Sequence, residues 1–363
     1  MSDSKAADPT SPADPPAPAP APTTESSTDT PLAAEATSTS APLQAQPSTD
    51  ESASSDADAD ADSALGSEYD PSTYTASLTS SITAYQHEHG RRYHAYQAGR
   101  YVLPNDEQEQ ERMDLQYHAI RLAFADALAF APIGEKPAAI LDVGTGTGIW
   151  AVDAADKYPD ASVVGTDLSP IQPQWIPPNV KFEVDDAEQA WTFPENHFDL
   201  VHTRIMNGSL RDWAGFMKQA FRHVKPGGWV ESQELSVDAR SDDGSLTEES
   251  HIHQWCLRQE KAFSTINASL LMSGEKLRDW MIDAGFVNVT VREFKIPIGT
   301  WPADPKLRET GAFQLVAMLD GIQGLTIAAW CNFLGWSEEE VEVELAKVRA
   351  EWRSRKIHSY WPL

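Results

Sequence analysis

The chain has 363 residues, more than a single ordinary domain requires, with a formal net charge of −27 and a pI near 4.6. So acidic a protein is a poor candidate for gripping nucleic acid by its phosphates, and direct nucleic-acid binding is not expected. Its two cysteines, Cys256 and Cys331, lie far apart and outside any C-x-x-C spacing, which gives neither a disulfide framework nor a zinc site; no metal site is expected.

Residues 1–66 are runs of Ala, Pro, Ser, Thr and Asp without a single aromatic side chain. Such a segment buries too little apolar surface to offset the entropy of ordering, so a disordered tail is expected. It carries twelve acids and one lysine, about −11 of the total charge. Its role is either solubilising or that of a partner-binding or phosphorylated arm. The start, Met1-Ser2-Asp3-Ser4-Lys5, lacks the apolar stretch of a secretory signal. No window is expected to reach the roughly eighteen apolar residues needed to span a bilayer. The cytoplasm, the nucleus or both are the expected location.

Residues 67–135 read as an N-terminal lid and helix. Order is expected to begin around residues 69–85. Residues 90–106 are dense in Tyr, Arg and His, including Tyr93 and His94, and form either a surface segment packing its rings on the core or a lid over a ligand. Residues 107–131 follow as a helix, with Leu115, Ile120, Leu122, Phe124 and Leu128 at helical spacing.

Ile140-Leu141-Asp142-Val143 is a short buried strand, and Gly144-Thr145-Gly146-Thr147-Gly148 is a glycine turn leading into a helix at 149–158 with Ile149, Val152 and Ala155 inward. Glycines at every second position let a ligand approach the backbone, or simply make a tight turn. A dinucleotide fingerprint is G-x-G-x-x-G, but here the third glycine comes one residue early and Ile149 fills its place. Asp142 before the first glycine would also sit badly beside a pyrophosphate. The pattern of an acid followed by G-x-G-x-G resembles motif I of the class I S-adenosylmethionine (SAM) methyltransferases.

Residues 161–167 form a second strand ending on Asp167, twenty-five residues after Asp142 and close to the roughly twenty-residue offset of a ribose-binding carboxylate. Asp167 either accepts hydrogen bonds from two ribose hydroxyls or caps a helix before Ser169-Pro170. Leu168 belongs to the same strand end. A third strand at 180–184 precedes Asp185-Asp186-Ala187-Glu188, where Asp186, or else Asp185, is placed to accept an adenine amino group in a SAM pocket. Trp191 and Phe193 wall that pocket or join the core. A fourth strand at 197–204 puts Thr203 and Arg204 at its carboxyl end, where ligands bind in open α/β sheets, and leaves His202 borderline because alternation can turn it into the sheet. A helix at 210–224, a tight turn at Lys225-Pro226-Gly227-Gly228 and a fifth strand at 229–234 complete a parallel, doubly wound α/β sheet.

Several separate stretches then resemble one family. Residues 142–150, the Asp185-Asp186-Ala187-Glu188 loop, residues 225–229, Arg92-Tyr93-His94, residues 99–106 and residues 335–341 are similar to the fungal LaeA-like methyltransferases. The resemblance covers residues 85–363 and leaves out the tail. It implies a Rossmann-like class I methyltransferase fold over 136–363: a mostly parallel seven-stranded sheet with helices on both faces and a helical C-terminal insert at about 247–336. It implies SAM as cofactor, held by Asp142, Gly144, Thr145, Gly146, Gly148, Asp167, Leu168, Asp185, Asp186, Ala187, Thr203 and Arg204. It also implies a role in secondary metabolism or development. Methyl transfer to a small-molecule or protein acceptor is one form of that role. The other is regulation through velvet-type protein partners. Family members generally continue past Tyr360-Trp361-Pro362, so the last strand is expected to be short or completed differently.

Downstream, helices are expected at 247–267 and at 273–284 with Ser273 as N-cap and Gly285 after the end. Residues 288–301 read as a strand, 305–336 as an apolar helix, and 337–356 as a charged helix capped by Ser337. The insert serves acceptor recognition, or else core packing or a protein interface. A hydroxyl acceptor needs a general base, for which His94, His202, Tyr93 and Glu234 are candidates without diagnostic spacing.

Overall fold

Every residue of β3 (Ala139–Val143) is buried, as expected of a strand covered on both faces. In the computed structural model, which describes residues 85–97, 99 and 101–363, β3 is the middle of a five-stranded parallel sheet. The expected tail at 1–66, and the rest of the chain up to residue 84, lie outside the described residues.

The described residues begin with a hairpin of β1 (Gln86–Glu88) and β2 (Arg91–Tyr93), then α1 (Glu107–Ala123). The core follows as β3, α2 (Ile149–Lys157), β4 (Ser162–Asp167), β5 (Val180–Val184), β6 (Phe198–Arg204), α3 (Trp213–His223) and β7 (Val224–Gln233). Strand order β5-β4-β3-β6-β7 makes β3 the switch point, with β4 on one side and β6 on the other, which is where such sheets open a ligand crevice. Alternation divides the core. Ile140, Val163 and Leu200 pack under Tyr117 of α1 and Trp150 of α2, while Leu141, Val143 and Val201 pack under Phe216 and Met217 of α3.

Then come α4 (His251–Ser264), α5 (Gly274–Ala284), β8 (Lys295–Pro297), α6 (Pro305–Leu334), α7 (Glu338–Arg353) and β9 (Tyr360–Pro362). Trp255, Phe263, Met318, Trp330 and Trp352 join α4, α6 and α7 into a separate apolar cluster. Ser273 caps α5 by accepting from the Lys276 amide, and Gly285 ends it with φ 111°. Ser337 and Glu340 form a reciprocal capping box on α7.

Several expectations need correction. α1 stops at Ala123, because Ala125 and Asp126 take left-handed backbone angles and turn the chain toward β3. On α2 the buried positions are Trp150, Ala151, Ala154 and Ala155, so Ile149 and Val152 are only partly covered. The tight turn expected at 225–228 lies inside β7: Val224 pairs with Phe198 and Trp229 with Leu200, so residues 225–228 form an excursion without register partners, with Gly227 at φ 82°. The central sheet has five strands rather than seven. β8 and β9 pair antiparallel with each other, and β9 joins the chain beyond β7 through Ser236 N→Pro362 O and two bonds between Arg240 and Tyr360. Residues 288–294 contribute no strand of their own; Phe294 alone exchanges two backbone bonds with Leu363. Finally, α6 is long and apolar enough to cross a membrane, contrary to expectation. More than half of its apolar window is buried in this fold, against α1, α4 and α7, as befits a core helix.

Candidate active site

At the end of β3 the chain must turn sharply to start α2, and the three glycines of the turn all have positive φ (70°, 58° and 81°). The amides of Gly144 and Thr145 both donate to Thr166 O, at 2.8 and 2.9 Å, which ties the turn to β4. A Cβ on Gly144 would lie 2.1 Å from Met206 Sδ, so this glycine makes room for the loop after β6. Gly148 has a different task. It is the N-cap of α2, and a Cβ there would meet Phe182 Cζ at 2.4 Å; it faces the core and does not line the cavity.

A cavity of about 250 Å³ opens above this turn. Asp142, Gly144, Thr145, Gly146, Asp167, Leu168, Asp185, Asp186 and Ala187 all line it. Asp167 accepts from Gly146 N and Ser169 N, each at 2.9 Å, and burial raises its pKa. No helix begins at Ser169, so the capping alternative is not realised. Asp185 N donates to Asp167 O at 3.0 Å, joining the two acidic strand ends, and Asp185 accepts from Asp186 N. Asp186 is buried and accepts from Glu188 N at 3.0 Å. Trp191 and Phe193 belong to the core; Trp191 Nε1 donates to Ala187 O.

Alternation along β6 separates neighbours. Thr203 turns away from the cavity and donates to Val143 O at 3.0 Å. His202 and Arg204 share the opposite face, beneath α1 and α2, and both line the cavity. Arg204 Nε donates to Gln233 Oε1 at 2.8 Å, and its guanidinium lies 5.0 Å from the Tyr117 ring centre. Among the described residues its Nη1 and Nη2 have no hydrogen-bond partner, and burial pushes its pKa down to about 10. His202 Nδ1 lies 2.7 Å from Asp142 Oδ1, and its ring stacks on Trp150 at 3.6 Å.

The remaining base candidates lie outside the cavity lining. His94 is buried with Nε2 3.2 Å from Gln97 O, and burial lowers its pKa. Tyr93 is buried in β2, which pushes its pKa up to about 12. Glu234 accepts from Met206 N (2.8 Å), Asn207 N (3.0 Å) and Ser232 Oγ (3.0 Å), and burial pushes its pKa up to about 7. It therefore pins the loop after β6, where Ile205 has φ 54°, a strained angle for a β-branched residue.

The segment before α1 does reach the cavity, through Tyr101, Leu103, Pro104 and Asn105. Asn105 Nδ2 donates to Ser169 Oγ at 3.1 Å, bracing it against the loop after β4. Sequence reasoning missed Arg112, Gln116 and Tyr117 of α1, and Asn207. A signal existed for the first group: Glu109, Arg112, Gln116 and Ile120 share one buried helix face, and polar residues in such a stripe call for a reason.

Beyond Met206 the cavity continues into a second, apolar lobe lined by Leu235, Val237, Trp255, Phe263, Met318 and Trp361. Its nearby polar groups are mostly paired within the protein. Trp255 Nε1 donates to Thr326 Oγ1, and Gln259 bonds to Leu325 O and Trp330 Nε1. Asn207 donates to Leu235 O and Leu270 O, and its Oδ1 has no partner among the described residues.

This donor set fits SAM. Asp167 would accept from the ribose hydroxyls, Arg204 would donate to the carboxylate through Nη1 and Nη2, and Asp186 would meet the adenine end. When bound, SAM supplies a methyl group on a cationic sulfur that is already activated for displacement. Fold and site together define a class I SAM-dependent methyltransferase.

A methyltransferase-domain family matches residues 115–291. The chain is 41% identical over 295 residues to methyltransferase pytC of Aspergillus terreus, covering 80% of this chain and 89% of that protein. It is 36% identical over 283 residues to secondary metabolism regulator LAE1 of Cochliobolus heterostrophus (75% and 91% covered). It is 34% identical over 287 residues to protein-methionine methyltransferase laeA of Emericella nidulans (78% and 76% covered). The chain belongs to the LaeA-like methyltransferase family.

Proposed function

We propose that the protein transfers a methyl group to a small, predominantly apolar secondary metabolite held in the second lobe. The observation that carries this reading is the continuity of one cavity from the glycine turn, past Met206, to Trp255, Phe263 and Trp361. Methyl transfer is an in-line displacement, so the protein's main task is to align the acceptor and exclude water. Leu103 and Pro104 before α1, together with α4 and α6, supply that enclosure. A regulator acting through velvet-type partners would need a cofactor site and an exposed surface, but not an apolar lobe beside the cofactor. The lobe favours transfer.

The test uses the full chain, SAM carrying a labelled methyl group, and extract from the cell that makes it, separated into small-molecule and protein fractions. Label is expected in a small apolar compound. Label appearing only in a protein band would contradict the reading.

A further inference from the structure

We propose that the open groove along the outer side of β7 is a docking slot for residues 73–84 of a second copy of this chain, which enter it as an added β-strand and make a strand-exchanged dimer.

β7 ends the strand order β5-β4-β3-β6-β7, so the outer side of Trp229–Gln233 is a free sheet edge. Across a groove of about 1000 Å³ from it runs Val287–Arg292, whose backbone makes no hydrogen bond among the described residues. β9 shows how wide the gap is at one end. Pro362 O accepts from Ser236 N at 2.9 Å on one flank, and Leu363 exchanges two backbone bonds with Phe294 on the other. The space there holds one strand, and the groove continues from Pro362 and Leu363 between the same two stretches of chain.

The two faces of the slot differ. Leu277 and Met281 of α5 and Phe286 after it line one face, yet none of the eleven residues of α5 is fully buried. Val287 and Val291 remain 78% and 41% exposed. The opposite face is polar: Glu231 accepts there from Phe130 N and Ala131 N, and Arg292 lies 4.7 Å from the Phe130 ring centre. A strand laid in the slot would bond to both edges and cover the half-buried face of α5. It should be apolar on one side, polar on the other and free of charge, since a charge inserted between two sheet edges loses its water.

Residues 73–84, which precede the described part, have that pattern. Tyr74, Ala76, Leu78, Ile82 and Ala84 fall on one side of an alternating strand, broken by Ser80, and every odd position from Thr73 to Thr83 is Ser or Thr. No charged residue and no proline lies between Ser72 and Gln86, whereas residues 1–66 are runs of Ala, Pro, Ser, Thr and Asp. Reach selects the copy. Tyr85 sits at the start of α1, its ring under Arg92, which bonds to Asn105 and Glu107. The groove lies at the other end of that helix, beside Phe124. The 17 residues of α1 span about 25 Å, a distance that takes roughly seven or eight extended residues to cross. Leu78 and Ile82 would be spent as linker in the chain's own groove, but not in a partner's. Reciprocal exchange closes a two-fold dimer and leaves neither β7 edge open.

The test combines sedimentation velocity with hydrogen–deuterium exchange on the full-length chain at low and high protein concentration. A concentration-dependent dimer is expected, in which amides of Trp229–Gln233 and Val287–Arg292 exchange about tenfold more slowly than in the dilute monomer. A full-length chain carrying both Leu78→Asp and Ile82→Asp should dissociate about tenfold more readily, while binding S-adenosylhomocysteine within about twofold of wild type as a check of its fold. The wild-type exchange comparison decides the matter even if that variant does not fold. A wild type that stays monomeric, a dimer whose two edges exchange unprotected, or a folded double variant that dimerises as wild type does would each overturn the proposal. Equal protection of both edges in the dilute monomer would overturn it too, because the slot would then be filled without a second copy.

Discussion

The two halves of the cavity are built on different plans. The cofactor half is made of strand ends and backbone: the turn at Gly144–Thr147, Asp167 on β4, and Asp185 and Asp186 after β5. Its groups are polar and fixed by short hydrogen bonds to neighbouring amides. The acceptor half is made of side chains from α1, α4, α6 and the last strand, and its polar atoms are mostly consumed within the protein. The first half is a rigid receptor for one cofactor. The second is a container whose selectivity lies in its shape and in Asn207.

That contrast can be broken by substitutions that should affect one half alone. The largest effect is expected for Asp167→Ala. Losing two charge-assisted contacts to a ligand, with Gly146 N and Ser169 N left unpaired, should weaken SAM binding by roughly 10³-fold, read by calorimetry. Next is the pH dependence from Glu234. Its folded-state pKa of about 7 lies above the ordinary value of 4.5, so its contribution to stability is full below the lower value and lost as pH rises through the upper one. Relative to Glu234→Gln, wild-type protein should therefore lose on the order of 3 kcal/mol of stability between those limits, measured by urea unfolding. Val237→Phe fills the second lobe from a partly buried position. It should cut label transfer about tenfold while SAM affinity stays within about twofold. The smallest effect is expected for Thr203→Val, which removes one buried bond to Val143 O. It should cost about 1 kcal/mol of stability and leave SAM binding unchanged, since Thr203 faces away from the cavity.

The cofactor half was legible in the amino-acid sequence because its signals are local. Glycine spacing and an acid at each of two strand ends are readable within a few residues. The acceptor half was legible only as one of the alternatives for the 247–336 insert, because spacing does not tell whether Trp255 and Met318 face a cavity or the core until the helical layer is folded onto the sheet. Asp142 and His202 show the same limit at one contact. Both residues stood out, but only the register of two parallel strands brings them together. Thr203 and Arg204 show it again, since the phase of alternation along β6 decides which one meets the ligand. The seven-strand expectation overreached for a related reason: Leu235 to Arg240 leaves the regular ladder, so β9 and β8 pair beside the sheet rather than within it.

The central claim is that one continuous cavity places an apolar acceptor against the SAM methyl group. A crystal structure with S-adenosylhomocysteine bound tests it most directly. The account predicts ribose hydroxyls on Asp167, the carboxylate near Arg204, and the sulfur facing the lobe lined by Trp255 and Phe263. A cofactor whose sulfur faces away from that lobe, or one bound outside this cavity, would contradict it.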